Sequence, residues 1–219
     1  MSTSPHIVSD VMTHTVVAVG RDAPFKEIVE LMRQWNVSAL PVQEGEGRVV
    51  GVVSEADLLP KEEFRDTDPD RHDQLSRLSD LAKAGAVSAG ELMTSPAVCV
   101  HADATLAEAA RIMAHRKIKR LPVVNAENIL EGVVSRSDLL KVFLRSDEDI
   151  AEEVSRTVTT YLFPDQPVTV SVTEGVVTFG GALRNRNLVP VAARLARAVE
   201  GVVDIRMNFA GPDTEPEPR

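Results

Sequence analysis

The chain has 219 residues, 43% apolar and 26% charged, a balance that suits folded domains and excludes an intrinsically disordered chain. Its formal net charge of −9, pI near 5.1 and aromatic content of only 4% oppose both a basic nucleic-acid footprint and an aromatic platform for single strands. Any core must be built from Val, Leu, Ala and Ile.

The first residues carry neither a basic leader region nor a long apolar run, and no stretch approaches the roughly 18 apolar residues of a membrane span. A cytoplasmic chain, with membrane attachment not expected, follows. From there the sequence repeats itself. Residues 10–59 overlay residues 91–140 at a constant offset of 81, without a gap and with 19 identical pairs in 50 positions. DVMTHTVVAVGRDAPFKEIVELM lies over ELMTSPAVCVHADATLAEAARIM, ALPV over RLPV, and GVVSEADLL over GVVSRSDLL.

Within the first copy (7–60), Val16 to Val19 read as a short strand. Phe25, Ile28, Val29 and Met32 follow at the i, i+3, i+4, i+7 spacing of a helix that buries one face. A strand then starts at Leu40-Pro41-Val42, a turn covers Glu44 to Arg48, a strand covers Val49 to Val53, and a helix opens at Ser54. Residues 61–87 have no counterpart in the repeat; they read as a solvated linker with a helix from about Asp73 to Lys83, and little before Leu75 looks like core.

The second copy (88–145) repeats the order: strand Val98 to Val100, helix with Leu106, Ala109, Ala110 and Met113 inward, strand from Leu121-Pro122-Val123, turn Asn125 to Asn128, strand Leu130 to Val134, helix from Ser135. Cys99 is the only cysteine, so an internal disulfide is excluded and a cysteine-based zinc site is not expected; between Val98 and Val100 it reads as a buried small hydrophobe on a strand. A β-α-β-β-α unit of about 50 residues buries only part of its apolar surface, so the two copies should share one core.

The D-V-M-T opening, the L-P-V strand and the G-V-V-S-x-x-D-L-L close resemble a tandem pair of CBS motifs, over about 135 residues. The resemblance implies an α+β architecture in which two packed β-α-β-β-α motifs form one disc-like module with two clefts. It also implies that the clefts take adenosine-containing ligands such as AMP, ATP or S-adenosylmethionine, that the module regulates a partner, and that it stacks as a homodimer.

The chemistry of the clefts can be argued from the residues. Ser54 and Asp57, and again Ser135 and Asp138, stand three apart where a strand passes into a helix. A carboxylate there can accept both ribose hydroxyls, and a serine hydroxyl with the open N–H groups can receive a phosphate. The competing reading is a plain helix N-cap. His115, Arg116, Lys117, Lys119 and Arg120 precede the second Leu-Pro-Val, where copy one has Gln34, Trp35, Asn36, Ser38 and Ala39. The family resemblance sends Lys119 and Arg120 to the phosphate in the cleft of Asp57, and leaves the Asp138 cleft with Ser38 and Ala39. For the basic run the competing reading is a solvated helix end. Thr13, Val17, Thr94 and Val98 are candidate purine walls; Met12 and Met93, beside them, read as ordinary core.

From Asp147 the pattern changes. Ile150, Val154, Val158, Tyr161 and Leu162 mark a helix ending before Pro164. VTVSVTEGVVTFGG (168–181) is a hairpin turning at Glu174-Gly175, and Asn187 to Val199 is a helix with Leu188, Val191, Leu195 and Val199 inward. Gly201 stops that helix and residues 202–209 form a last strand. This α-β-β-α-β order, with its glycine spacing, is similar to a BON domain over 149–210. Residues 211–219 read as a disordered tail. Arg194 and Arg197 share a helix face near Arg184 and Arg186, a solvated face or a dock for an acidic partner.

The sequence holds no paired catalytic carboxylates, no phosphate-binding G-x-x-x-x-G-K-[ST] loop and no metal-spaced histidines, and neither serine has an evident histidine base. A helix-turn-helix signature for DNA is missing as well. The expected protein is a non-catalytic sensor of an adenine nucleotide, with no required cofactor and an unknown protein target. A scaffold or oligomerisation protein with vestigial clefts is the alternative.

Overall fold

A computed structural model describes residues 6–65, 78–183 and 186–210. The chain divides into two compact units after Leu139.

In the first unit each copy builds its own three-stranded sheet. Helix α1 (Val8–Val11) leads into β1 (Val19–Gly20), α2 (Phe25–Trp35), β2 (Ala39–Glu44), β3 (Arg48–Ser54) and α3 (Glu55–Leu58). The linker contributes α4 (Pro60–Glu63) and α5 (Leu78–Gly85); the expected start of the latter at Asp73, with Leu75, lies outside the described residues. Copy two follows with α6 (Ala89–Leu92), β4 (Val100–His101), α7 (Leu106–Arg116), β5 (Arg120–Val124), β6 (Leu130–Ser135) and α8 (Arg136–Leu139). The registers match: Val19 lies parallel to Val42 and Val100 to Val123, Ala39 opposes Ser54 and Arg120 opposes Ser135, and both hairpins bulge just after those central valines.

The copies are joined by an exchange. The Thr94 N–H donates to Val52 O at 2.9 Å and the Val52 N–H to Thr94 O at 3.1 Å, so the entry to copy two pairs with the hairpin of copy one. Thr13 and Val133 make the reciprocal pair at 2.9 and 3.0 Å. Glycine permits this approach. A Cβ on Gly51 would lie 2.8 Å from Met93 Cγ, and one on Gly132 would lie 2.7 Å from Met12 Sδ and 2.9 Å from Thr13 O. Met12 and Met93 are therefore half-buried lids over the crossing hairpins.

Three expectations change here. Ile28 and Met32, with Leu106, Ala109 and Met113, are buried, but Val29 (41% exposed) and its equivalent Ala110 face outward. A helix lying on a three-stranded sheet buries a narrower row than the full i, i+4, i+7 pattern suggests. The first strands shrink to two residues each, because β1 and β4 pair only where β2 and β5 run beside them. Cys99 consequently lies just before its strand and is half-buried rather than buried.

In the second unit a 3₁₀ turn (Leu140–Leu144) precedes α9 (Asp147–Val154), a π turn (Ser155–Thr159) and α10 (Thr160–Leu162). Strands β7 (Val168–Thr173) and β8 (Val176–Ala182) form the hairpin, α11 (Val189–Arg197) crosses over, and β9 (Asp204–Ala210) returns parallel to β8. The hairpin turns at Glu174 and Gly175, with φ of 51° and 71°, as a two-residue turn of left-handed residues should. Asp147 accepts both turn N–H groups at 2.8 Å. Tyr161, expected inward, is 78% exposed and Phe163 is buried in its place. The π turn inserts one residue's worth of rotation and carries the apolar stripe past Tyr161. Along α11, Ala192 and Ala196 sit at the centre of the buried face with Val199; Leu188 and Leu195 flank it and Val191 points out. Arg186, Arg194 and Arg197 are exposed, and Arg184 lies outside the described residues.

Candidate functional site

The exchange of Thr94 onto β3 creates the site. It lays the copy-two segment 94–98 along the end of the copy-one hairpin, and β5 of copy two enters beside it. The result is a cleft of about 310 Å³ lined from copy one by Ser38, Ala39, Val52, Ser54, Glu55, Ala56 and Asp57 and from copy two by Thr94, Pro96, Ala97, Val98, Lys117, Ile118, Lys119 and Arg120. Its apolar walls are Val52, Pro96, Ala97, Val98 and Ile118; copy two supplies the cations Lys117, Lys119 and Arg120, and copy one the carboxylates of Glu55 and Asp57.

Among the described residues of the first unit, Asp57 is the one buried acidic residue, 8% exposed. It sits there because β3 ends at Ser54, whose extended backbone (φ −127°, ψ 166°) starts α3, and Asp57 falls at the third helical position. Its Oδ2 accepts from the Ser54 N–H at 2.8 Å and from the Ser54 hydroxyl at 2.6 Å. Asp138 Oδ2 does the same with Ser135, at 2.9 and 2.5 Å. Both aspartates therefore act as helix-terminal caps, whatever else they do. Asp138 is half-buried, and Ser135 Oγ also meets Ser137 Oγ at 2.8 Å.

Of the residues singled out in sequence, Ser54, Asp57, Thr94, Val98, Lys119 and Arg120 meet in this one cleft. Thr13 is across from Val133, two residues before Ser135, and Val17 packs on the copy-one core; neither lines it. His115 and Arg116 are exposed and stand outside it. One allocation changes: Ser38 and Ala39, which the resemblance left to the Asp138 cleft, line the Asp57 cleft. The antiparallel register puts Ala39 opposite Ser54, and Arg120 Nη2 donates to Ser38 Oγ at 2.8 Å.

Lys117, named in the sequence only as part of the basic run, also lines the cleft; sequence reasoning missed Val52, and Ile118, Ala97 and Pro96, which the exchange brings from copy two. It also missed Lys83. The Lys83 ammonium, from linker helix α5, donates to Asp57 Oδ1, and the two side chains are 21% and 10% exposed. Nothing in the spacing of residues 26 apart signals that pair. Beside the cleft, burial pushes the Cys99 thiol up to about 11, so it is a poor nucleophile at neutral pH. Among the described residues no group of three or more His, Cys, Asp or Glu side chains could hold a metal, and no helix is long and apolar enough to cross a membrane.

Models of two known domain families match the chain: CBS domain at residues 8–61 and 89–145, and BON domain at 146–210. The uncharacterized protein MJ1426 of Methanocaldococcus jannaschii is 28% identical over 154 residues, 63% of this chain and 91% of that protein. The chloroplastic CBS domain-containing protein CBSX2 of Arabidopsis thaliana is 30% identical over 154 residues, 64% of each. A crystal structure of CBSX2 in complex with AMP matches at a TM-score of 0.56, with 30% identity, covering 64% of this chain and 97% of that one. Other relatives are longer: the chain spans 31% of MJ1404 from the same archaeon.

Proposed function

Since the chain belongs to the CBS-domain family and carries a BON domain behind its paired motifs, we propose that it is a non-catalytic sensor that binds an adenosine-containing nucleotide in the Asp57 cleft. The observation that carries this reading is the composition of that cleft: the buried Asp57 carboxylate with the exposed Glu55 beside it, apolar walls, and the cations Lys117, Lys119 and Arg120, drawn from both copies. Asp57 takes ribose hydroxyls, Arg120 with Lys119 takes the phosphate, and Val52, Ala97, Val98 and Ile118 enclose the base. Asp57, Arg120 and Lys119 each have an opposite in the ligand, which is the pattern of a specific small-molecule site.

Size favours a mononucleotide. Ligand sites run from about 300 to 1,000 Å³, and this cleft stands at the lower end of that range. The AMP bound by the related CBSX2 supports the same class of ligand. Ligand in the cleft bridges the two motifs, and the resulting shift is read by a partner protein or by the BON domain. A homodimer formed through the CBS motifs and a cytoplasmic location belong to the same proposal. The scaffold reading has one observation in its favour, since Ser54–Asp57 and Ser135–Asp138 make the same cap bonds and a purely structural role accounts for them.

Thermal unfolding with AMP, ADP, ATP and S-adenosylmethionine separates the two. A ligand at 100 times its dissociation constant adds about 2.7 kcal/mol of stability. No stabilisation at millimolar concentration by any of the four rejects the sensor and leaves the scaffold.

A further inference from the structure

We infer that Lys83 determines how strongly the Asp57 cleft prefers a ribose over a deoxyribose, by controlling how many hydrogen bonds Asp57 can offer a sugar. The inference deepens the nucleotide reading above and rests on it.

An ionised carboxylate has about four acceptor positions, two on each oxygen. On Asp57, Oδ2 already accepts two hydrogen bonds, from the Ser54 N–H and the Ser54 hydroxyl. Oδ1 accepts one, from Lys83. One position is left, whereas a cis-diol presents two donors. With Lys83 in place Asp57 holds one sugar hydroxyl; holding both requires a partner to leave.

The Ser54 N–H is fixed by the backbone that starts α3 and the Ser54 hydroxyl belongs to the same capping box, so the partner that comes from another element and can leave with it is Lys83. Lys83 is absent from the cleft lining, so it competes for lone pairs and not for space. Its helix is held lightly. No residue of α5 is buried, and among its ties Lys61 donates from its ammonium to Ala84 O at 2.9 Å. An element with little buried apolar surface opens locally at low cost. A diol that captures Asp57 in both hydroxyls thereby releases residues 78–85, and the sugar's second hydroxyl becomes the signal that loosens the linker.

The test titrates AMP and 2′-deoxyAMP into the full-length wild type, Lys83→Met and Lys83→Arg. Methionine keeps the aliphatic stem and removes the donor. Lys83→Met should bind AMP roughly 10-fold tighter than the wild type and leave 2′-deoxyAMP nearly unchanged, a gain of the size expected for one hydrogen bond to a charged group. Lys83→Arg should keep the wild-type ratio. A ratio in Lys83→Met no greater than in the wild type overturns the inference, and so does an equally raised ratio in Lys83→Arg. Hydrogen exchange on the wild type needs no variant: AMP should speed exchange across 78–85 and 2′-deoxyAMP should not, and equal exchange with both ligands overturns the proposal. Binding of AMP to the wild type with an unchanged ratio in Lys83→Met defeats this inference alone. If no nucleotide binds any of the three proteins, the sensor reading falls and takes this one with it.

Discussion

Arg120→Ala isolates the phosphate contribution from everything else in the cleft. The guanidinium is half-buried at the start of β5, and Nη2 donates to Ser38 Oγ at 2.8 Å. Removing it costs the unliganded protein one hydrogen bond, about 1 kcal/mol, and less if water reaches the half-buried serine. For a chain of this length that lowers Tm by about 2 to 4 °C. Binding should respond more strongly. A guanidinium on a phosphate is a charge-assisted contact worth about 1.5 to 3 kcal/mol, so AMP should bind about 10- to 100-fold more weakly. Adenosine has no phosphate and should bind within about twofold of the wild type. Calorimetric titration of both ligands into both proteins gives the four constants. Raising salt should weaken AMP binding to the wild type more than to the variant, because the lost interaction is ionic. Equal losses for AMP and adenosine would mean that Arg120 shapes the cleft through Ser38 without touching phosphate, and the assignment would be wrong.

Two further outcomes follow from the same geometry. Gly132→Ala should destabilise more than Gly51→Ala, within the range of about 1 to 3 kcal/mol for overpacking, because the new methyl meets the Thr13 backbone carbonyl while at Gly51 it meets the flexible Met93 side chain; urea melts giving the reverse order refute the exchange as the joint between copies. The N–H groups of Val87 and Ser88, with help from the Ser88 side chain, hold the Glu91 carboxyl below its usual range. A lowered folded value means that its stabilisation is complete above the unfolded pKa and is lost as pH falls through the folded one, so Glu91→Gln should flatten the decline of stability on the acid side of the carboxylate range, and an unchanged acid profile argues against the cap.

Much was decided by the sequence alone. An offset of 81 residues held without a gap, so the two sheets, their bulges and their paired caps could be expected in duplicate, and they are. The Glu174-Gly175 turn was legible too, since few residue pairs accept two left-handed conformations in succession. Local chemistry sets such features, and local chemistry is what a sequence displays. Tyr161 and Val191 were misjudged because a π turn and a narrow helix contact rotate an apolar stripe without changing its spacing.

The cleft belongs to tertiary structure. Ser54 and Asp57 face Thr94, Val98, Lys119 and Arg120 because Thr94 crosses to pair with Val52, and no residue type near either threonine announces that crossing. Lys83 reaches Asp57 for the same kind of reason. Hydrogen-bond partners far apart in the chain are chosen by how the two copies close on each other, and the linker has no second copy from which its position could be inferred.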